Sequence, residues 1–245
     1  MKDRQEGLVS VVIPCYNAAL YIVDCLNSLQ AQSYEKMEVI LVNDASTDQT
    51  QNIVEKWIEK SNPTFPIIVC NLPINTGFAG ALTIGYFMSS GEYIAVNDAD
   101  DISHPLRFEK QVDFLEKNLE YDLIGSNYQV FTDINLKESG QMANWLEYGD
   151  AIRKVYAEGG HCICHGTIMF RGKIFDMLGG PTRRINGAED YEFIVKFLNA
   201  HLNVENLNEV LYYYRQHDQQ RSKTFYGGDN SGSVSYTHLK LPTKA

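Results

Sequence analysis

Four runs of aliphatic and mostly β-branched residues alternate with amphipathic segments in the first half of the chain, and this alternation restricts the fold more than any other feature. The runs are LVSVVIP (8–14), EVILVND (38–44), PIIVCNL (66–72) and EYIAVND (92–98). Near-continuous apolar runs are typical of strands that are buried on both faces. Strands that alternate with helices through short links predict an α/β fold, with a mostly parallel sheet and helices on both faces.

Apolar residues recur at helical spacing between these runs, and the less regular second half contains further strand-like and helix-like segments. Ser46 or Thr47 can cap the second helix, and Pro105 suits the first turn of the fourth. The first predicted helix carries Leu20, Val23, Leu26 and Leu29, and the second has Trp57 and Ile58 on its apolar side. Four further helices are predicted over residues 77–89, 105–117, 144–158 and 189–200. The further predicted strands are residues 122–131, 164–170 and 210–216.

Charge and composition exclude several classes of function. The net charge of −10 argues against nucleic acid as a partner, because no basic stripe is available to neutralise phosphates. No apolar run is long enough for a transmembrane segment, and the N-terminal run is too short for a secretion signal. The five cysteines are scattered, and HCICH (161–165) has no second pair at zinc-finger spacing. We therefore expect a cytoplasmic protein with reduced thiols, and peripheral contact with the inner face of the membrane stays open.

The last part of the chain loses this periodicity. Residues 227–245 are rich in Gly and Ser and predict a disordered tail. Within it, VSYTHL (234–239) is what one reading frame of a common sequencing-library transposon end would encode. We interpret residues 234–245 as an assembly artefact and leave them out of the fold; an ordinary disordered tail is the alternative.

Polar residues follow each of the first four predicted strands. In open α/β sheets, ligands bind beyond the carboxyl ends of the strands, so these residues are expected along one edge of the sheet. They are Pro14, Tyr16 and Asn17 after the first strand, Asp44 after the second, Asn75 and Gly77 after the third, and Asp98, Ala99, Asp100 and Asp101 after the fourth.

Each of these groups has a functional and a structural interpretation. The three carboxylates of residues 98–101 are suited to Mg²⁺ or Mn²⁺, or they form a solvated turn before a helix. Asp44 can accept a hydrogen bond from a base or a sugar hydroxyl, or it caps the next helix. Asn75 and Gly77 precede a helix whose free N–H groups can face an anion, or they form a tight turn.

Taken together, the motifs resemble glycosyltransferase family 2, the inverting enzymes with a GT-A fold. The resemblance rests on VSVVIPCYNAALYIVDCLNSLQAQSYEKMEVILVNDASTDQT, NLPINTGFAGALTIGY, EYIAVNDADD and GAEDYEF, in this order, and covers about residues 8–217. It implies one GT-A domain over residues 1–226, with a nucleotide-binding half (1–101) and an acceptor-side half (102–226).

The resemblance also implies roles for individual residues. Asp98 and Asp100 match the D-x-D motif that binds the metal, and Asp190, after Glu189, matches the catalytic base. His217 matches a position that approaches the diphosphate or metal in some relatives. The nucleotide-binding positions are Pro14, Tyr16, Asn17, Asp44, Asn75, Gly77, Asp98 and Ala99. The sequence departs from the family at Asn97, where many members carry an apolar residue, and NTGFAGALTIGY lacks a common Arg.

We therefore expect a metal-dependent glycosyltransferase that uses Mn²⁺ or Mg²⁺. It would move a sugar, with inversion, from a nucleotide diphosphate sugar, with UDP the first candidate, to a hydroxyl of a cell-envelope glycan or lipid-linked saccharide. Two alternatives remain: a sugar-nucleotide pyrophosphorylase, which would need a basic Gly-rich loop after the first strand, and a non-catalytic sugar-nucleotide-binding protein. For Glu189 and Asp190, the alternative is simple stabilisation of a helix dipole.

Overall fold

A computed structural model describes residues 3–132, 140–182 and 187–221. The predicted tail (227–245), with its suspected artefact (234–245), lies outside the described residues. Within them, no helix is both long and apolar enough to cross a membrane. The strands are β1 (Gln5–Cys15), β2 (Met37–Asn43), β3 (Ile67–Asn71), β4 (Gly91–Val96), β5 (Ile102–Ser103), β6 (Tyr121–Phe131), β7 (Met169–Arg171) and β8 (Asn203–Arg215). The helices are α1 (Ile22–Gln30), α2 (Thr50–Ser61), α3 (Phe78–Met88), α4 (Arg107–Lys117), α5 (Asp150–Ala157), α6 (Gly172–Leu178) and α7 (Glu189–Asn199).

The eight strands form one mixed sheet in the order β3-β2-β1-β4-β7-β6-β8-β5. The first four predicted strands pair in parallel, as β3-β2-β1-β4. The antiparallel pairs are β7 with β4 and with β6, and β5 with β8. The predicted α/β sheet is confirmed, and its parallel half brings the carboxyl ends of β1, β2 and β4 to one edge.

Alternate residues of each central strand pack against helices on opposite faces of the sheet. On one face, Val12 and Ile94 pack in a cluster with Tyr86 of α3 and Phe193 of α7. On the other face, alternate strand residues such as Val11 join a cluster with the apolar sides of α1, α2 and α4. The two-residue period of a strand therefore explains how near-continuous apolar runs serve two cores.

Helix α1 differs from the prediction in which residues it buries. The buried apolar residues are Ile22, Cys25, Leu26 and Leu29, spaced i, i+3, i+4 and i+7. Leu20 lies before the helix and is 76% exposed, and Val23 is also exposed. The predicted apolar stripe was therefore wrong at these two positions, because Leu20 precedes the helix and Val23 lies on its exposed side.

The predicted caps of α2 are also not observed. The residue before α2 is Gln49, and its side chain makes no capping hydrogen bond. Ser46 instead accepts a hydrogen bond from the Asn17 N–H (2.9 Å), which ties the loop after β1 to the loop after β2. Asp48 accepts from the Thr50 N–H (2.9 Å) in the first turn.

Three predicted elements in the second half differ in extent from the prediction: two are shorter and one is longer. The predicted strand 164–170 is a 3₁₀ turn at His165–Thr167 followed by β7, held by the Thr167 hydroxyl, which donates to the Cys164 carbonyl (2.7 Å). The predicted helix 144–158 contains only α5, because Gly149 has a φ of 57° and the helix begins after it. Strand β8 starts at Asn203, well before the predicted start at residue 210.

Candidate active site

A cleft of about 690 Å³ opens at the carboxyl edge of β1 and β4. It joins residues from the parallel half of the sheet to residues from the second half of the chain. Nine of the predicted site residues line it: Pro14, Tyr16, Asn17, Asp98, Ala99, Asp100, Glu189, Asp190 and His217. The acidic end of β4 and the start of α7 therefore face the same space, although they are far apart in sequence.

Asp44, Asn75 and Gly77 form a separate cluster that does not line this cleft. One oxygen of Asp44 accepts hydrogen bonds from the Thr76 N–H (2.6 Å) and hydroxyl (2.8 Å), and the other accepts from the Gly77 N–H (2.9 Å). The Asn75 side-chain amide donates to the Asp44 carbonyl (3.1 Å). Asp44 therefore does not cap the helix that follows it, α2; it fixes the loop before α3. Its proposed contact with a base or ribose stays a prediction.

A buried arginine explains how the sheet tolerates three carboxylates at the end of β4. The Arg107 side chain is fully buried and donates hydrogen bonds to the Val96 carbonyl (2.8 Å) and to the Asn97 Oδ1 (3.2 Å). Its guanidinium carbon lies 4.9 Å from the Tyr212 ring centroid. Burial lowers the pKa of Arg107 to about 10, so the group stays charged at neutral pH. This cation interacts electrostatically with Asp98 and Asp101 and offsets part of their mutual repulsion.

Asn97, the departure from the family pattern, is part of this arrangement. Its Oδ1 accepts from Arg107 and from the Ser103 hydroxyl (2.6 Å), and its side-chain amide donates to the Asp98 carbonyl (2.9 Å). A polar residue at this buried position therefore connects the arginine to the backbone of the D-x-D segment. An apolar residue could make none of these hydrogen bonds.

Asp98 has a carboxylate oxygen that is suited to binding a cation. Among the described residues, its buried Oδ1 has no hydrogen-bond partner. Burial, together with the nearby Asp100 carboxylate, raises the pKa of Asp98 well above its usual range. A buried carboxylate oxygen without a partner is costly, and a cation would remove that cost.

Asp100 is oriented by groups from the end of β8. Its Oδ2 lies 2.9 Å from the His217 Nε2, and its carbonyl accepts from the Arg215 Nε (2.7 Å). The His217 Nδ1 accepts from the Gln219 N–H (3.2 Å), so the Nε2 is the nitrogen that carries the proton and donates to Asp100. In this arrangement His217 orients Asp100, and it could bind a metal only by giving up that bond.

Asp190 and Glu189 begin α7 but differ in their surroundings. Glu189 is buried and forms an ion pair with Arg221, which also lies over the Phe78 ring. Asp190 is 28% exposed and has its Oδ2 3.5 Å from the His161 Nε2. Burial raises the pKa of Asp190, but His161, His165 and the Tyr191 N–H together outweigh that effect and lower it to about 2. Asp190 is therefore an ionised carboxylate that faces the cleft.

His161 is held in place on the side away from Asp190. Its Nδ1 lies 2.6 Å from the Tyr156 hydroxyl, and its ring packs near the Trp145 indole, with centroids 5.5 Å apart. The sequence singled out His161 only as part of a candidate zinc segment. Among the described residues, no group of three or more His, Cys, Asp or Glu side chains is arranged to hold a metal.

His161→Phe should raise the pKa of Asp190 by about one to three pH units, since an opposite or hydrogen-bonding partner within a few ångströms has an effect of this size. Burial would then act with less opposition, and the carboxylate would take up a proton at higher pH. Titration of the Asp190 carboxyl carbon by ¹³C NMR measures this, with the signal assigned from Asp190→Asn. The exposed His201, changed to Phe, is the matched control, and an unchanged Asp190 titration in His161→Phe would contradict the prediction.

Comparison with known proteins identifies the class. The chain matches the family described as "Glycosyl transferase family 2" over residues 10–179. It is 33% identical over 240 residues to the "Putative glycosyltransferase EpsE" of Bacillus subtilis (strain 168). The alignment covers 96% of this chain and 84% of EpsE. The chain therefore belongs to glycosyltransferase family 2, and its enzyme class is that of a glycosyltransferase.

Solved structures agree on the fold. The structure of S. aureus TarS 1-349 in complex with UDP-GlcNAc superposes with a TM-score of 0.70 at 23% identity, over 92% of this chain and 62% of that one. The mannosyltransferase PcManGT from Pyrobaculum calidifontis, in complex with GDP-Man and Mn²⁺, gives a TM-score of 0.66 at 21% identity, over 86% of this chain and 57% of that one. The predicted GT-A fold is confirmed. At these identities the likeness concerns the fold alone.

Proposed function

We propose that this glycosyltransferase moves a sugar, with inversion, from a UDP-sugar to a hydroxyl of a cell-envelope glycan or lipid-linked saccharide, and that it requires Mn²⁺ or Mg²⁺. One observation carries the proposal: a single cleft contains both the acidic end of β4 and the ionised Asp190. UDP is favoured because the TarS structure contains a UDP-sugar. The acceptor class rests on the family resemblance.

The residues at the end of β4 fit a divalent cation. Asp98 offers an oxygen that no described residue contacts by a hydrogen bond, and Asp100 lies two residues on, in the same cleft. Mg²⁺ commonly takes one or two protein carboxylates and completes its coordination with phosphate oxygens and water, so no trio of protein ligands is needed. A cation bound there would stabilise the negative charge that develops on the departing nucleoside diphosphate. The Mn²⁺ in the PcManGT structure also supports this assignment.

The protein groups have separable tasks in this scheme. Asp98 and Asp100 would hold the divalent cation that binds the diphosphate end of the donor. His217 orients Asp100, and Arg107 fixes the backbone of Asp98 through Asn97. The Asp190 carboxylate accepts the proton of the acceptor hydroxyl as its oxygen attacks the anomeric carbon from the face opposite the leaving group. A single displacement of this kind inverts the anomeric centre, by analogy with the inverting glycosidases. Pro14, Tyr16 and Asn17 line the cleft at the end of β1 and are assigned to the nucleotide.

Each of the two alternatives is disfavoured by a different feature of the chain. The loop after β1, CYNAALY, has no basic residue, and this disfavours a pyrophosphorylase. A non-catalytic binding protein would have no use for an ionised carboxylate across the cleft from the metal site. We also propose that the enzyme acts in the cytoplasm, with peripheral contact with the inner face of the membrane left open.

The proposal is tested by incubating the protein with a panel of nucleotide sugars and acceptors in Mn²⁺, in Mg²⁺ and in EDTA. We expect UDP release that depends on the acceptor, is abolished by EDTA and returns when Mn²⁺ is restored. Release of pyrophosphate from UTP and a sugar phosphate would favour the pyrophosphorylase. Binding of a nucleotide sugar with no turnover would favour the binding protein, and full activity in EDTA would remove the metal from the proposal.

A further inference from the structure

His165 is a buried polar side chain whose ring nitrogens make no hydrogen bond to any described residue. The residue is 8% exposed, and its ring lies between Phe78 and Phe193, at centroid distances of 5.7 and 6.1 Å. It lines the cleft, yet neither Nδ1 nor Nε2 has a hydrogen-bond partner among the described residues. Buried polar atoms without partners are rare in native proteins and cost free energy. Because this imidazole lies at the wall of the cleft, we expect a bound ligand to supply its hydrogen-bond partner.

The chemistry of His165 narrows the kind of partner. Burial lowers the pKa of His165 against the opposing effect of Asp190, and with smaller contributions from His161 and Arg221 the pKa is about 4. The ring is therefore neutral at physiological pH, with one N–H donor and one acceptor nitrogen. A neutral imidazole has no charge to attract a phosphate, and a fully ionised phosphate could use only its N–H donor. A hydroxyl group both donates and accepts a hydrogen bond, so it matches this pair.

The position of His165 relates it to both ends of the proposed reaction. The next residue, Gly166, packs so closely on the acidic strand end that a Cβ there would lie 2.8 Å from the Asp98 Oδ2 and 2.9 Å from the Tyr212 hydroxyl. Asp190 lines the same cleft and affects the ionisation of His165. His165 is thus the chain neighbour of a residue packed on Asp98, and it shares the cleft with Asp190. A sugar that links the diphosphate to the attacking hydroxyl has to occupy this cleft.

We propose that His165 recognises a hydroxyl group of the transferred sugar, and so contributes to donor specificity. This inference rests on the proposed function, because it takes the site of Asp98 and Asp100 as the diphosphate end and Asp190 as the acceptor end. His165 is a recognition residue and takes no part in proton transfer. It should affect the sugar portion of the donor and leave the nucleotide portion alone.

The first test compares the binding of UDP and of the UDP-sugar that the wild type turns over, by calorimetry in Mn²⁺ without acceptor. His165→Phe keeps an aromatic ring between Phe78 and Phe193 but removes both nitrogens. We expect its Kd for UDP to stay within twofold of the wild-type value, and its Kd for the UDP-sugar to rise about 5- to 30-fold, as expected for one or two lost hydrogen bonds. His165→Asn, which retains a donor and an acceptor, should recover part of the loss, and His201→Phe should change neither Kd.

Equal weakening of UDP and UDP-sugar in His165→Phe would overturn the inference, because it would indicate a structural role. An unchanged Kd for the UDP-sugar would also overturn it. A second measurement needs no variant: donors deoxygenated at each sugar position in turn are bound to the wild type. One of them should bind about 5- to 30-fold more weakly, and if none does, no hydroxyl is recognised and the inference fails, whether or not the variants fold.

These outcomes are distinct from a failure of the proposed function. If no nucleotide sugar is bound or turned over, the proposed function itself is wrong. If a UDP-sugar is turned over but its affinity relative to UDP does not depend on His165, only the inference about His165 is wrong.

Discussion

Asp190→Asn should lower kcat for sugar transfer by about 10²- to 10⁴-fold, the usual contribution of a positioned general base. Asparagine has the same shape and can still accept a hydrogen bond from the Tyr191 N–H, which bonds Asp190 Oδ1 at 2.7 Å. What it lacks is the ability to take a proton. We therefore expect the Kd for UDP in Mn²⁺ to stay close to the wild-type value while turnover is lost. The measurement is the initial rate of UDP release at saturating donor and acceptor.

Asp113→Asn is the matched control for this experiment. Asp113 carries out no task in the cleft; it lies on α4, is exposed and pairs with Lys117 one helical turn away. The same change of a carboxylate to an amide should leave the transfer rate within twofold there. Retention of more than a tenth of the wild-type rate by Asp190→Asn would remove Asp190 from the role of base.

Glu189 provides a second comparison, because it is the other carboxylate at the start of α7. Its side chain is buried against Arg221, so its charge is already matched and it does not lie free to accept a proton. Glu189→Gln should therefore reduce transfer less than Asp190→Asn does. The reverse order would assign the base to Glu189 and would make Asp190 the residue that supports it.

The parallel half of the sheet could be predicted from sequence because its signals are local. Strands β1, β2 and β4 are apolar runs buried on both faces, and the polar residues that follow them are brought to one edge by the topology alone. The convergence of Asp98, Asp100 and Asp190 in one cleft could not be predicted from local signals alone. Nothing local places the start of α7 opposite the end of β4, and only the family motifs in their order indicated that it would be there.

Other features depended on tertiary contacts that no sequence pattern reveals. The segment 164–170 reads as a strand, but Thr167 bonds to the Cys164 carbonyl and to the Ser126 N–H and so forms a 3₁₀ turn. That turn is what places His165 in the cleft wall. In the sequence, Arg107 looks like an ordinary charged residue near the start of a helix. Its burial could not be predicted, since it depends on β4, Ile168 and Tyr212, which surround it in the folded protein. Residues of this kind are recognised by what surrounds them in space.

Arg107→Met should destabilise the protein by about 3–5 kcal/mol, the range expected when one charge is removed from a buried, electrostatically matched group. Methionine fills much of the same space but donates no hydrogen bond. The Val96 carbonyl, the Asn97 Oδ1 and the Gln111 Oε1, which all accept from the guanidinium, would each lose a buried donor. Asp98 and Asp101 would lose the cation that opposes their repulsion, because Arg107 lowers the pKa of Asp98 against the larger effect of burial.

Urea unfolding measures the effect, with the midpoint and the slope compared between wild type and variant. Lys110→Met is the matched control: it removes a cation from the same helix, α4, but one whose side chain is partly exposed and pairs with Glu209 at the surface. Its cost should be no more than about 1 kcal/mol. Arg107→Lys should fall between the two, since an ammonium keeps the charge but cannot reach all the acceptors that the guanidinium bonds. Equal free energies of unfolding for Arg107→Met and Lys110→Met would mean that the carboxylates at the end of β4 are held without Arg107, and the explanation of how the sheet carries them would have to be given up.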